Sequence, residues 1–276
     1  MTIATLSEVL EPAKKNNYAV AGLVVLGWED VRSYVEVAEE LQVPVIIQAG
    51  PGCRQHTPIP ILGKMFRYLA EQSTSPVVCH IDHGYSEEEC QMGIDNGFTS
   101  VMFDGSKLSL QENIDKTASI VELGHKAGVS VEGEIGFVGY NEGKKSLSTD
   151  PEEAKKFAHE TKCDAMAISV GNTHLQINKN TNIDISDILN IQALCDIPLV
   201  LHGSSGIDYD LRRKIAQQTN VCKFNIGTEL RKTFGDSLRT SINKSPDIYD
   251  RNQLLNMTID DIKKSTRTVL ENISKF

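Results

Sequence analysis

The chain has 276 residues, of which 40% are hydrophobic and 24% are charged. This balance excludes a wholly disordered protein and fits one large globular domain. The 28 basic and 37 acidic side chains give a net charge of −9. That charge argues against nucleic acid as a partner, because nucleic-acid binding needs a basic face that neutralises phosphates. Small phosphorylated ligands stay open, since glycine-rich loops and helix N-termini bind anions on acidic proteins too.

The cysteines and the N-terminus indicate the compartment. The six cysteines form no C-x-x-C pair, and several lie in apolar runs, where a thiol usually acts as a small hydrophobe. No apolar stretch follows a basic start at the N-terminus, and no run approaches the roughly 18 apolar residues of a membrane span. We therefore expect a reduced, soluble, cytoplasmic protein that does not bind a membrane.

Eight short apolar runs recur along the chain, each bounded by turn residues and rich in valine or isoleucine. Runs of this length and composition predict strands that are buried on both faces. The predicted strands span residues 18–26, 43–50, 75–84, 98–106, 128–136, 163–172, 197–206 and 220–228.

Helical patterns separate these strands. Residues 29–41 carry apolar side chains at helical spacing, and Ser86 followed by Glu89 has the pattern of a capping box. Helices over 109–128 and 149–160 begin with Ser or Thr caps. Strands alternating with helices predict a parallel α/β fold, and eight strands close a (β/α)8 TIM barrel. A doubly wound open sheet is the alternative, but the G-x-G-x-x-G turn that it predicts after an early strand is absent.

We expect a single domain over residues 1–276. The barrel would span about 18–240, and a polar C-terminal helical extension would span about 241–276. The extension is read as part of the same domain because its DDIKKSTRTVLENI stretch has helical spacing.

Polar side chains follow the predicted strands, at the end of a TIM barrel where chemistry takes place. These side chains are Asp82, His83, Asp104, Ser106, Glu134, His174, His202, Asn225 and Thr228. Three histidines from three strand ends, with carboxylates beside them, provide what a catalytic divalent metal needs: three protein ligands and an open position. The remaining histidines are expected to be ordinary core or surface residues; they are His56, His80, His125 and His159.

The stretch VVCHIDHG (77–84) raises a geometric question. Asp82 and His83 are adjacent, so on a regular strand they would point to opposite faces. Both can serve one site only if the strand ends there and the chain turns, which Gly84 allows.

Three loops are candidates for ligand contact. HGSSG (202–206) and NIGT (225–228) follow the last two predicted strands, where barrels commonly bind phosphate on backbone N–H groups. The loop over 136–148 is long and rich in Gly and Lys. It is interpreted either as a lid that closes over the site or as a surface excursion.

In this order, the motifs resemble the class II (zinc-dependent) fructose- and tagatose-bisphosphate aldolase family. The matching stretches are VPVIIQ, VVCHIDHG, SVMFDGSKLSLQENI, VEGEIG, STDPEEAKKFA, DAMAISVGNTH, LVLHGSSGI and KFNIGTEL. They run from about residue 18 to residue 232, so the resemblance covers nearly the whole predicted barrel.

The resemblance implies a metal centre. His83, His174 and His202 would bind one Zn²⁺ per chain, and Asp104 and Glu134 match positions that hold a second or displaced divalent ion. The family also implies a monovalent cation near the phosphate, and a homodimer or homotetramer.

The resemblance also implies the acid–base residues and the substrate site. Asp82 would act on the C4 hydroxyl, and Glu142 in the lid would exchange the proton on the enediolate. The positions that match the dihydroxyacetone-phosphate site are Gly203, Ser204, Ser205, Asn225, Ile226, Gly227 and Thr228.

Departures from the family pattern lie mainly on the substrate side. Leu175 replaces a glycine whose N–H contacts phosphate. Val24 and Gly50 replace an Asn and a Ser that serve the aldehyde half of the substrate. Arg231, in contrast, matches a position that binds the distal phosphate in some fructose enzymes.

The sequence therefore predicts a metal-dependent aldolase. It would reversibly cleave the C3–C4 bond of a ketose (bis)phosphate to dihydroxyacetone phosphate and an aldehyde, through a zinc-stabilised enediolate. One alternative is a zinc-dependent barrel aldolase or lyase with another, non-glycolytic phosphorylated substrate. Another is a metal-dependent barrel hydrolase in which Asp82 activates a zinc-bound water, and a third is a non-catalytic sugar-phosphate-binding barrel. The departures predict weak activity on fructose 1,6-bisphosphate compared with some other 1-phosphorylated ketose.

Overall fold

The computed structural model describes residues 2–140, 146–176, 178–179, 181 and 183–274. The strands are β1 (Ile3–Ala4), β2 (Val20–Val24), β3 (Val45–Ala49), β4 (Val77–Gly84), β5 (Ser100–Phe103), β6 (Ser130–Ile135), β7 (Gly139–Tyr140), β8 (Ala165–Ile168), β9 (Thr173–His174), β10 (Leu199–Leu201) and β11 (Val221–Ile226). The helices are α1 (Leu6–Asn16), α2 (Trp28–Leu41), α3 (Pro51–His56), α4 (Ile59–Gln72), α5 (Glu87–Asp95), α6 (Leu110–Lys126), α7 (Pro151–Thr161), α8 (Ile185–Gln192), α9 (Tyr209–Gln218), α10 (Thr228–Lys244), α11 (Arg251–Asn256) and α12 (Ile259–Ile273).

Eight parallel strands close into a barrel. The order around it is β4, β3, β2, β11, β10, β8, β6 and β5, and pairing of β5 with β4 closes the ring. Each predicted strand contains one of these eight, and helices lie between successive barrel strands, so the predicted (β/α)8 TIM barrel is confirmed. The short strands β7 and β9 pair separately.

The barrel strands are apolar because both of their faces are covered. All five residues of β3 are buried, as are all eight of β4. One face packs against the surrounding helices in the main core. The other face points into the barrel, where small side chains such as Ala165 and Ala167 leave room for neighbours.

The first sixteen residues form two elements that the sequence analysis did not predict. Strand β1 pairs with β4, and α1 packs its apolar stripe against interior residues of the barrel, including Val20 and Val78. The signals were present, because Thr5 and Glu8 form a complete capping box and α1 buries Leu6, Val9, Leu10 and Ala13. The helix therefore closes the N-terminal end of the barrel.

The C-terminal region joins the helical layer. Helix α10 continues to Lys244, so the boundary predicted after residue 240 falls inside it. Helix α12 packs against α2, α9 and α10 and buries Ile262, Val269, Leu270 and Ile273. Within the described residues, no helix is long and apolar enough to cross a membrane.

The predicted cap of α5 is half right. The Ser86 hydroxyl accepts from the N–H of Glu89, as expected for an N-cap. The Glu89 carboxylate, however, accepts from the N–H of Tyr85 rather than from Ser86, at 3.0 Å. This shift leaves the other carboxylate oxygen of Glu89 for Arg54.

Candidate active site

Strand β4 ends in a turn that points two adjacent side chains into one pocket. His83 takes the left-handed conformation (φ 53°), and the pairing of β4 with β5 shifts between Ile81 and Gly84. The turn was predicted, but the residue that makes it is His83 itself rather than Gly84. Because of this bulge, Asp82 and His83 line the same pocket.

The three strand-end histidines meet at the barrel mouth. His83 comes from β4, His174 from β9, and His202 directly follows β10. One ring nitrogen of each lies within 4.8 Å of the others. Burial and the two neighbouring imidazoles lower the pKa of His174 to about 3, so this ring is neutral at physiological pH. Neutral imidazoles are the form that binds a metal.

Two carboxylates complete a second group around His83. The His83 Nδ1 atom lies 2.9 Å from Asp104 Oδ2 and 3.6 Å from Glu134 Oε2. Burial and the Asp104 carboxylate raise the pKa of Glu134 to about 8. Burial alone would lower the pKa of His83, but Asp82, Asp104 and Glu134 raise it to about 9.

A buried polar network that the sequence analysis missed lies beneath the histidines. The His202 Nε2 atom lies 3.1 Å from Glu132 Oε1, and the Lys223 ammonium pairs with Glu132 Oε2 at 2.5 Å. His80, expected to be an ordinary core residue, lies 3.3 Å from Lys223 Nζ and bonds Ser100. With Nε2 donating to Glu132, the Nδ1 lone pair of His202 is left for the pocket. A signal was available, because side chains two positions apart on a strand point to the same face. Glu132 lies two positions before Glu134, and Lys223 lies two positions before Asn225.

Asp82 is held in its ionised form. Its Oδ1 atom accepts from Asn225 Nδ2 at 3.0 Å. Burial alone would raise the pKa of Asp82, but the neighbouring His83 and His202 imidazoles outweigh it and hold this pKa below its usual range. The amide also fixes the direction in which the carboxylate faces.

The two glycine loops meet beside the histidines. Gly203 has φ 64°, and a Cβ there would collide with the Thr173 carbonyl, so only glycine fits. Gly203, Ser205, Gly227 and Thr228 line the pocket, and α10 begins at Thr228. The N–H of Glu229 in the first turn donates to the Ser205 hydroxyl at 3.3 Å, so an anion would bind the N–H groups beside it.

Two of the expected phosphate residues point elsewhere. The Ser204 hydroxyl donates to the Leu201 carbonyl at 2.8 Å. The Ile226 side chain is buried in the main core. Any contribution of these two residues to binding would therefore come from their backbone.

The positions that depart from the family pattern line the same pocket, and together they are called the variable wall. Val24, Gly50, Leu175 and Arg231 all line the pocket. Leu175 takes the left-handed conformation at φ 58° and is 50% exposed. A Cβ on Gly50 would lie 3.2 Å from Asp82 Oδ2, so this glycine keeps space open beside the Asp82 carboxylate. Glu142 lies outside the described residues.

Comparison with known proteins gives consistent matches over the whole chain. The model of the family described as "Fructose-bisphosphate aldolase class-II" matches residues 4–275. The chain is 33% identical to a fructose-bisphosphate aldolase of Geobacillus stearothermophilus, covering 100% of this chain and 97% of the relative. It is also 33% identical to a 6-phospho-5-dehydro-2-deoxy-D-gluconate aldolase of Bacillus subtilis (strain 168), covering 97% and 94%. The crystal structure of the YdjI aldolase from Escherichia coli K12 matches with a TM-score of 0.84 and 28% identity, covering 99% and 97%.

Proposed function

Because the chain belongs to the class II fructose-bisphosphate aldolase family, we propose that it is a zinc-dependent aldolase that cleaves a phosphorylated ketose between C3 and C4. The products would be dihydroxyacetone phosphate and an aldehyde. The observation that supports this most strongly is that three imidazoles converge within 4.8 Å of one another, beside a pocket lined by the ionised Asp82 and two glycine loops.

The histidines have the chemistry of a zinc site. His83, His174 and His202 would hold the ion, since imidazole nitrogen suits Zn²⁺ and these nitrogens lie within 4.8 Å of one another. The buried Nδ1 atom of His202 has no hydrogen-bond partner among the described residues, as expected of a ligand atom. When bound, the ion would polarise the ketone and stabilise the negative charge left by cleavage. Asp104 and Glu134, which form a group with His83, would hold a second or displaced divalent ion.

Asp82 is the proposed base. Its carboxylate would accept the proton of the C4 hydroxyl as the bond between C3 and C4 breaks and the aldehyde forms. Asn225 would keep Asp82 aimed at this hydroxyl through the bond to Oδ1. The return of a proton to the three-carbon fragment stays assigned to Glu142, as predicted from the sequence.

The glycine loops are the proposed phosphate site. Backbone N–H groups around Gly203, Ser205, Gly227 and Thr228, with the N-terminus of α10, would bind the phosphate of the dihydroxyacetone half. A monovalent cation beside this phosphate remains a prediction.

The aldehyde half of the substrate is where the protein would depart from a fructose-bisphosphate enzyme. Val24 and Gly50 supply no side-chain hydrogen bond to a hydroxylated tail, and Leu175 adds an apolar group at the pocket. A wall of this kind discriminates little in favour of a hydroxylated aldehyde. We therefore expect fructose 1,6-bisphosphate to be a weak substrate.

A specific second candidate is 6-phospho-5-dehydro-2-deoxy-D-gluconate, the substrate in the names of two curated relatives. Its aldol cleavage would yield dihydroxyacetone phosphate and a three-carbon aldehyde that carries a carboxylate and a methylene group. The methylene would suit the wall that lacks two polar side chains, and Arg231 would face the carboxylate.

The deciding experiment is an assay of dihydroxyacetone phosphate formation, with and without a chelator. The panel would contain this deoxygluconate, the fructose and tagatose bisphosphates, and the corresponding 1-monophosphates. We expect at least one ketose to give product in a chelator-sensitive reaction, and we expect the activity on the bisphosphates to be lower. Release of inorganic phosphate instead would indicate a hydrolase. Binding without turnover of any compound would indicate a sugar-phosphate-binding barrel.

A further inference from the structure

The guanidinium of Arg54 holds the turn at the end of β4. Arg54 lies on α3, and its side chain is only 4% exposed. Its Nη1 atom donates to the Asp82 carbonyl at 2.6 Å and also to the Ala49 carbonyl, while Nη2 donates to the His83 carbonyl at 2.9 Å. Its Nε atom pairs with Glu89 on α5 at 2.8 Å. One side chain therefore joins the ends of two barrel strands to a helix.

These carbonyls need a donor because of the bulge in β4. Pairing of β4 with β3 ends at Ile81, and pairing with β5 resumes only at Gly84. The carbonyls of Asp82 and His83 thus lie outside the strand ladder, and buried carbonyls without donors are costly. Arg54 satisfies both with the two ends of one planar fork, which fixes their relative orientation.

We propose that Arg54 is a positioning residue for the reaction: by clamping these carbonyls it keeps His83 in its left-handed turn, so that the Asp82 carboxylate and the His83 imidazole face the same pocket. The proposal rests on the proposed function for its kinetic consequence, but its effect on zinc affinity does not depend on turnover. Arg54 itself touches neither substrate nor metal in this role.

The test uses the full-length chain with Arg54→Ala and Arg54→Lys. Lysine keeps the charge but cannot donate to two carbonyls in a fixed plane. The matched control is Arg67→Ala, which removes an arginine from an exposed pair with Glu71 on α4. Each folded protein is measured for zinc affinity by competition titration of the metal-free form, and for kcat and KM on the best ketose phosphate.

We expect both Arg54 variants to bind zinc about 10–100-fold more weakly, the usual effect of losing a group that orients metal ligands. In zinc-saturated enzyme, kcat should fall by a similar factor while KM changes little, because the phosphate loops are untouched. Millimolar guanidinium should restore part of the lost zinc affinity and kcat in Arg54→Ala. Arg67→Ala should match the wild type in every measurement.

Several outcomes would overturn the proposal. One is a folded Arg54→Ala protein with unchanged zinc affinity and kcat. Another is a loss of thermal stability alone, which would make Arg54 merely structural. If Arg54→Ala does not fold, an Arg54→Lys protein that folds and behaves like the wild type would also overturn it. If the wild type cleaves no ketose phosphate, the proposed function fails, whereas weakened zinc binding in the variants would still support the clamp.

Discussion

The two walls of the pocket differ in how tightly their residues are held. Behind the histidines, on the side called the rigid wall, His202, Glu132 and Lys223 are fully buried and joined by hydrogen bonds. On the variable wall, Leu175 is half-exposed and Val24 and Gly50 carry no polar side-chain atoms, so Arg231 supplies its polar group. The proposed metal ligands lie on the rigid wall, whereas the departures concern proposed contacts with the substrate.

This contrast follows from what each wall would do. Bond cleavage needs charges and lone pairs fixed in place, and each fixed group constrains the residues behind it. Recognition of the aldehyde needs only a few contacts, which can change without disturbing the barrel. The protein would therefore keep the reaction of its family while differing in its substrate.

The largest effect should come from removing the metal. Without zinc, charge on the cleaved carbon has no stabilising partner, so turnover should fall to background for every substrate on the panel. Dialysis against a chelator, followed by addition of zinc, is the measurement, and the added zinc should restore activity. If the enzyme keeps its activity in chelator, the rigid wall does not hold a catalytic metal, and the explanation given for the difference between the two walls is wrong.

Asp82→Asn should give the next largest effect. The amide cannot accept the hydroxyl proton, so kcat should fall by about 10²–10⁴ while zinc stays bound. Zinc content and kcat of the purified variant check this, and Asp115→Asn, on an exposed face of α6, is the control. A kcat within a few-fold of the wild type would exclude Asp82 as the base.

A substitution on the variable wall should alter the selectivity among substrates rather than the turnover rate. Val24→Asn restores a polar group, so kcat/KM for fructose 1,6-bisphosphate relative to the preferred ketose should rise about tenfold, the worth of one good hydrogen bond. A wild type that already prefers a bisphosphate by more than about a hundredfold would show that this wall reads the distal phosphate.

The sequence predicted the rigid wall better than the network that supports it. The strand-end histidines were found because the barrel ends in loops, where polar residues interrupt apolar runs. Glu132, Lys223 and His80 are buried within the strands. From the sequence, a polar residue that points into the barrel and joins a network cannot be told from an isolated polar residue in an apolar run. Arg54 was missed for another reason: its partners are backbone carbonyls exposed by a bulge, which no sequence pattern records.

That buried network should make stability depend on pH. His80 accepts from Lys223, and burial together with this ammonium lowers the pKa of His80 to about 3. In the unfolded chain His80 takes a proton below about pH 6.5, so the unfolded state binds one more proton there. The free energy of unfolding should then fall by up to about 1.4 kcal/mol per pH unit as the pH drops.

The variant His80→Gln isolates this contribution, since glutamine keeps a donor and an acceptor but does not titrate. Denaturant unfolding between about pH 6.5 and 5 should show a shallower loss of stability on acidification than in the wild type. Other titrating groups are common to both proteins and cancel in the comparison. Equal slopes would mean that His80 is not held neutral by its neighbours.

The smallest effect concerns the left-handed backbone of Leu175 on the variable wall. A leucine in the left-handed region lowers stability by about 1–2 kcal/mol. Replacement by glycine removes this cost, but the greater conformational entropy of glycine in the unfolded chain offsets part of the gain. Leu175→Gly should therefore raise the free energy of unfolding by up to about 1 kcal/mol. Leu189→Gly is the matched control, because Leu189 is exposed to a similar extent, 40%, but lies inside α8, where glycine should destabilise by about 1 kcal/mol. If Leu175→Gly is instead destabilising, the leucine is kept for packing; if it is stabilising and the variant discriminates less among aldehydes, the strain is retained because the side chain meets the substrate.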